Sequence, residues 1–255
     1  MKIVVIGGTG LIGTKLVQKL HMRGHETIAA SPSSGVNTIT GAGLNEILMN
    51  TDVVIDVTNS RSFEDIAIMN FFKTSTYNIL TAEAVANVKH HAILSVVGTD
   101  RMLDSGYMRA KVAQENLVHS SAKLFTILRA TQFFEFLGVI ANANTNQDMV
   151  HLPPAFVQPV AAVDVAEALA DIAVSPPAND TVELAGPERF RLDELIQQYL
   201  GFIQDPREVK TDPNAQYFGA KLDELSLIPT DNPRIGSMRF EEWLGRDGDV
   251  PGAKS

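Results

Sequence analysis

Glycines at positions 7, 8, 10 and 13 close an apolar N-terminal run, in the order Gly7-Gly8-Thr9-Gly10-Leu11-Ile12-Gly13. This spacing suits the holding of a pyrophosphate. Glycine permits a tight turn and lets backbone N–H groups approach a bulky anion, and a helix starting at such a turn adds the positive end of its dipole. The last glycine lets that helix sit near the sheet. A second pair, Tyr107 and Lys111, stands four residues apart, which puts both side chains on one helical face. An ammonium beside a phenol favours the phenolate, so Lys111 is expected to lower the Tyr107 pKa from its reference near 10 and make the tyrosine a proton carrier at neutral pH. Ser95 ends a strand just before that helix, where its hydroxyl can hydrogen-bond a substrate carbonyl. The competing readings are a purely structural turn for the glycines and a solvated helix face for the Tyr/Lys pair.

The elements around these residues give them their context. Residues 2–6 are a β-branched apolar run, as expected of a strand buried on both faces of a parallel sheet. Leu11, Ile12, Leu16, Val17 and Leu20 then recur at helical spacing, completing strand, glycine turn and helix. The alternation continues with strands expected at 26–30, 36–40, 52–57, 92–97 and 125–129, and with helices at 44–49, 63–86 and 107–119. Strands alternating with helices imply a parallel sheet covered on both faces. After Arg129 the pattern loosens: 132–143 reads as helical, 163–174 as an amphipathic helix started by Asp164 as its N-cap, 181–185 as a strand and 192–200 as a helix.

With the glycine turn in place, the chain resembles the short-chain dehydrogenase/reductase superfamily, and most closely its atypical, NmrA-like NAD(P)-binding branch. The matching segments are Gly7-Gly8-Thr9-Gly10-Leu11-Ile12-Gly13, Leu94-Ser95-Val96-Val97-Gly98, Tyr107-Met108-Arg109-Ala110-Lys111 and Leu128-Arg129-Ala130-Thr131-Gln132-Phe133. The resemblance implies an α/β fold, a Rossmann-like doubly wound parallel sheet with a smaller C-terminal substrate-side region. Residues 1–245 would form one domain, with the cofactor half at about 1–130 and substrate-side segments at about 131–245, and 246–255 would be a flexible tail. It implies an NAD(P)-dependent oxidoreductase that transfers hydride between a nicotinamide cofactor and a small carbonyl or quinone-like substrate. The alternatives are a sugar-nucleotide epimerase-like enzyme and a non-catalytic nucleotide-binding redox sensor. Ser95, Tyr107 and Lys111 would be the catalytic residues, and Gly7, Thr9, Gly10, Leu11, Ile12 and Gly13 would hold the cofactor. Lys111 would also bond the nicotinamide ribose. Gln132, Phe133, Phe134 and Phe136 would border the substrate pocket, with core packing as the other reading of the phenylalanines. One departure stands out, because Phe72 occupies the position where many members carry the asparagine of a proton relay.

The end of the second strand reads Ala29-Ala30-Ser31-Pro32-Ser33-Ser34 and carries no acid to accept a ribose hydroxyl or repel a 2′-phosphate. Ser31, Ser33 and Ser34 are therefore expected to favour NADP, with NAD as the alternative. His90 and His91 are adjacent on a strand, so their side chains diverge, and no metal site is expected. The 255-residue chain has no cysteine, which excludes disulfides, thiolate nucleophiles and Cys-ligated zinc. With 21 basic against 30 acidic residues and a formal charge of -9, no basic tract suits nucleic acid or an anionic membrane. No apolar run is long enough to span a bilayer, and the N-terminal one is too short for a signal peptide. The expected setting is cytoplasmic, with a small-molecule substrate as partner and a homo-oligomer left open.

Overall fold

The computed structural model describes residues 1–62, 64–230, 232–246 and 250. A mostly parallel seven-stranded sheet contains β1 (Lys2–Ile6), β2 (Glu26–Ala30), β3 (Val53–Asp56), β4 (His90–Val96), β5 (Phe125–Ala130), β9 (Asp180–Ala185) and β12 (Arg234–Ile235), in the order β12-β9-β5-β4-β3-β1-β2. β1 pairs in parallel with both β2 and β3. The strand order therefore reverses direction at β1, and the crevice beyond the carboxyl ends of β1 and β3 is where such sheets bind ligands. The connecting helices are α1 (Leu11–Met22), α2 (Leu44–Leu48), α3 (Asp65–Ala86), α4 (Gly106–His119) and α6 (Ala162–Val174).

The chain divides into two compact units that interleave in sequence, Met1–Ser95, Gly106–Arg129 and Val165–Val182 forming the first. Its core is the apolar set the strand pattern predicts, with Val4, Ile6 and Val54 of the sheet packed among Leu44, Leu48, Ile79 and Val88. On its surface Glu167 of α6 takes Lys19 and Arg23 of α1 as partners, and Arg23 also meets Asp171 at 2.8 Å. The second unit comprises Val96–Ser105, Ala130–Asp164 and Glu183–Ser255. It holds α5 (Leu137–Ala143), α7 (Leu192–Phe202) and α8 (Phe240–Leu244), and two small sheets. One sheet joins β6 (Thr145–Asn146), β7 (Met149–Leu152) and β11 (Glu208–Thr211), and the other pairs β8 (Phe156–Val157) with β10 (Phe190–Arg191). Its core is aromatic: Phe134 stacks on Trp243 at 5.3 Å, with Phe240 at 5.5 Å and Tyr199 6.3 Å from the indole.

Three expectations are corrected. Residues 36–40 are not a strand, because the Asn37 carboxamide oxygen accepts the N–H groups of Ile39 and Thr40 and folds the segment into a turn. Residues 132–143 are not one helix: Phe133 bridges to Val160 in extended conformation, a single 3₁₀ turn spans Phe134–Phe136, and only α5 is α-helical. Asp164 does not cap α6. Its carboxylate accepts Met238 N–H at 2.9 Å and the Ser237 hydroxyl at 3.1 Å, while the first N–H of the helix, on Ala162, goes to Glu135 at 3.1 Å. Of the expected tail, only Arg246 and Val250 lie within the described residues.

Candidate active site

The glycine turn has two kinds of glycine. Gly7 lies in the left-handed region at φ +82°, and its N–H and that of Gly8 both reach Ala30 O, at 2.9 and 3.2 Å. A Cβ at Gly8 would lie 2.6 Å from Ala29 Cα, and one at Gly13 only 2.2 Å from Gly7 O, so both glycines serve the close packing of strand and helix. Gly10 differs. It is exposed at the N-cap of α1, and a Cβ there would meet only Gly7 O, at 3.3 Å. No side chain caps this helix, so the N–H groups of its first turn face outward past exposed Thr9 and Leu11, as an anion requires. Ile12 offers only its backbone, since its side chain is core. At the neighbouring strand end, Thr58 N lies 3.1 Å from where a Gly7 Cβ would stand, and the Thr58 hydroxyl is buried without a partner among the described residues. Open glycine, uncapped helix and orphaned hydroxyl together fit a dinucleotide.

The serines at the end of β2 are engaged in their own turn. Ser31 Oγ and Ser33 Oγ are 2.8 Å apart, and Ser34 Oγ accepts Ser31 N–H at 2.9 Å. Ser31 is buried, whereas Ser33 and Ser34 are exposed.

Tyr107 and Lys111 share a helical face as their spacing predicts, but that face is turned into the packing of α4 against α3. The Tyr107 ring meets Phe72 edge-on at 6.0 Å, and its hydroxyl makes no hydrogen bond among the described residues. Burial among apolar neighbours pushes its pKa up to about 12. The expected lowering by Lys111 is therefore corrected. Lys111 Nζ lies 4.6 Å from the centre of the Phe72 ring and donates to Leu94 O at 2.8 Å and to the Gln114 carboxamide oxygen. Burial brings its own pKa down to about 8, against the opposing pull of Asp56 and Glu115. Ser95 is also turned inward, donating to Glu115 Oε1 at 2.5 Å.

These bonds bring in four residues that pattern reading missed. Gln114 passes the contact on to Asp56 Oδ2 at 3.1 Å, and the other oxygen of Asp56 receives Thr58 N–H at 2.8 Å. Arg129 holds Glu115 with two bonds, of 3.0 and 2.6 Å. Asp56 had a readable signal, a carboxylate ending an otherwise apolar buried strand. Glu115 and Arg129 had none, because a carboxylate on a helix and a guanidinium on a strand look alike whether solvated or paired.

In the second unit, Phe134 is fully buried in the aromatic core, so its ring packs the unit and does not line a surface. Phe136 is exposed and meets half-buried Phe133 at 5.8 Å. Gln132 is buried, and neither end of its carboxamide has a partner among the described residues.

The adjacent histidines diverge as their strand position predicts. His90 Nε2 lies 3.0 Å from the Thr126 hydroxyl, and His91 Nδ1 lies 2.7 Å from Glu83. No group of three metal-ligating side chains occurs among the described residues. Burial drives the His90 pKa down to about 4. Because the folded state then binds this proton less readily than the unfolded chain, His90 contributes stability above about pH 6.5 that is lost as pH falls towards about 4. The urea midpoint should accordingly fall between pH 7.5 and pH 5, and His90→Gln should flatten that fall. An unchanged slope in the variant would assign the acid sensitivity to other groups. His91, raised by Glu83 against the effect of burial, acts in the opposite direction.

No protein-family model matches the chain. Over 218 residues it is 23% identical to the photosystem II assembly factor Ycf39 of Synechocystis sp., a match covering 77% of this chain and 66%, just under two thirds, of that relative. Its structure is similar to a dTDP-4-dehydrorhamnose reductase from Clostridium acetobutylicum (TM-score 0.68, 15% identity, 98% of this chain and 94% of that one). It is also similar to an NADPH-dependent quinone oxidoreductase from Escherichia coli complexed with NADPH (0.65, 18%, 82% and 77%). A UDP-glucose 4-epimerase from Thermus thermophilus, in complex with NAD, gives 0.68 at 17% identity over 89% and 92%. Among the described residues no helix is long and apolar enough to cross a membrane. In its sheet order, its glycine turn and its likeness to these proteins, the chain has the Rossmann-like α/β fold that these reductases and epimerases share.

Proposed function

We propose that the chain is an NAD(P)-dependent oxidoreductase acting on a small carbonyl or quinone-like substrate, and that its cofactor is held at the glycine turn. The observation that carries this reading is Gly10, an exposed N-cap glycine that the fold does not require beside an uncapped helix and the orphaned Thr58 hydroxyl. When bound, the cofactor supplies or accepts hydride at nicotinamide C4. The N–H groups of the first turn of α1 hold the pyrophosphate beside Gly10 and Thr9, while Gly7 and Gly13 let strand and helix close tightly around the turn. Lys111 enters as a positioning residue, its ammonium fixing the carboxyl end of β4 through Leu94 O. With a pKa of about 12, Tyr107 remains a neutral phenol at physiological pH, able to donate a proton and unable to remove one. This favours reduction of the substrate, in which the phenol gives its proton to the oxygen that receives negative charge. Similarity to reductases, one of them a quinone oxidoreductase, supports the same direction.

A second reading, nucleotide binding without turnover, is favoured by Ser95 being bonded to Glu115. Oxidation of NADPH by the wild-type protein with menadione or simple ketones separates the two, since a sensor binds the nucleotide and oxidises none. For the cofactor we infer NADPH over NADH from the absence of a carboxylate at residues 29–34. Ser31→Asp should reverse the ratio of the two affinities, and the turn should survive, because aspartate caps as well as serine does. Tighter binding of NADH by the wild-type protein in calorimetry would overturn this preference.

A further inference from the structure

The segment that leaves β5 has its backbone fixed on both sides. Thr131 N–H donates to Leu184 O at 2.9 Å and the Thr131 hydroxyl to Gln158 O at 2.6 Å, while Gln132 O receives Val160 N–H at 2.8 Å. Gln132, 7% exposed, nevertheless has both polar atoms of its side chain unpartnered among the described residues. On the adjacent strand end, Val97 N–H donates to Ala130 O at 2.9 Å. Thr99 and Gln132 thus each lie two residues past the same bond, beyond the carboxyl ends of neighbouring strands, where sheets of this class bind ligands. The hydroxyls of Thr99 and of Ser105, which ends the same loop, are also buried and unpartnered among the described residues.

This loop is held rigidly in the second unit. Gly98 has φ +81°, with no room for a Cβ beside Ser226 O, and Arg101 donates to Leu225 O at 3.1 Å and Ile228 O at 2.7 Å. Buried polar groups in folded proteins are almost always satisfied. Gln132, Thr99 and Ser105 are unsatisfied among the described residues and lie on two pinned segments past the carboxyl ends of neighbouring strands, where a ligand could satisfy them.

Building on the oxidoreductase reading, we propose that Gln132, Thr99 and Ser105 form the polar recognition set for the substrate's carbonyl oxygens. All three groups are neutral and all three can donate. They suit an uncharged ligand rich in acceptors and would leave a carboxylate or phosphate without a countercharge. Phe133 and Phe136 follow Gln132 directly and present an aromatic edge-to-face pair, a surface for a planar apolar body. A quinone combines both properties.

The test uses Gln132→Leu and Thr99→Val in the full chain, with menadione as probe. Both variants should raise the KM for menadione tenfold or more, leave NADPH affinity within twofold of wild type, and leave the Tm of the ligand-free protein unchanged or raised. A lowered ligand-free Tm in both variants would assign the groups to the fold. Lost NADPH affinity would assign them to the cofactor, and an unchanged KM would exclude them from substrate recognition. Each of these results overturns the proposal. If the wild-type protein binds NADPH but does not turn over, the oxidoreductase reading fails by itself, and menadione affinity measured by calorimetry then decides the recognition set. Wild-type binding weakened tenfold by Gln132→Leu supports it, and no binding or equal binding rejects it.

Discussion

Gly10→Val should lose NAD(P)H affinity by about two orders of magnitude, or about 2.7 kcal/mol, while keeping the far-ultraviolet circular dichroism and thermal midpoint of the wild type. The separation of effects follows from what each added side chain meets. At Gly10 a Cβ stands 3.3 Å from one carbonyl oxygen, a contact relieved by a shift of a few tenths of an ångström, and the methyls of valine then occupy the outward side where a pyrophosphate must reach the first-turn N–H groups. At Gly13 the Cβ stands 2.2 Å from Gly7 O, with Gly8 Cα at 2.6 Å, so Gly13→Ala should damage the fold itself. Calorimetric titration of Gly10→Val with NADPH and NADH checks the first claim, and a melting curve of Gly13→Ala the second. Equal nucleotide affinity in Gly10→Val and wild type would remove the glycine turn as the cofactor site.

Arg129→Met should lower stability by about 3–5 kcal/mol, and with it the thermal midpoint by roughly 6–20 °C. The Glu115 side chain is 5% exposed and takes two bonds from Arg129, so removing the guanidinium leaves a buried carboxylate with the Ser95 hydroxyl as its one remaining hydrogen-bond donor among the described residues. The cost lies in the uncompensated charge more than in the lost attraction, so adding Glu115→Leu should recover much of it. If the double variant melts below Arg129→Met, the two residues are not coupled in this way.

Local chemistry was legible in the sequence wherever it is written in consecutive residues. The β-branched run of residues 2–6 followed by spaced glycines defines strand, turn and helix because each step is a local steric matter. The alternation up to β5 follows for the same reason. Segment 36–40 carries strand-favouring Ile39 and Thr40 yet forms a turn, because the Asn37 side chain supplies the competing hydrogen bonds. Residues 132–143 read as helical in the sequence, but pairing with Val160, distant in sequence, keeps Gln132 and Phe133 out of the helix. In the candidate site, spacing correctly placed Tyr107 and Lys111 on one face. It carried no information on which groups would meet that face. Phe72 and Leu94 arrive from other elements, and their contacts give the lysine other partners and leave the phenol half-buried and weakly acidic.

The chain passes between its two units five times, at the junctions after residues 95, 105, 129, 164 and 182. During synthesis, at roughly 5–20 residues per second, the first unit stays incomplete until α6 has emerged, although its five strands β1 to β5 are made earlier. Until then Lys19 and Arg23 lack Glu167, and the nascent sheet keeps an open edge where β9 will later pair. Such an edge recruits other strands, so a ribosome stalled between residues 130 and 165 would display an aggregation-prone intermediate. No single cut in the chain yields either unit whole.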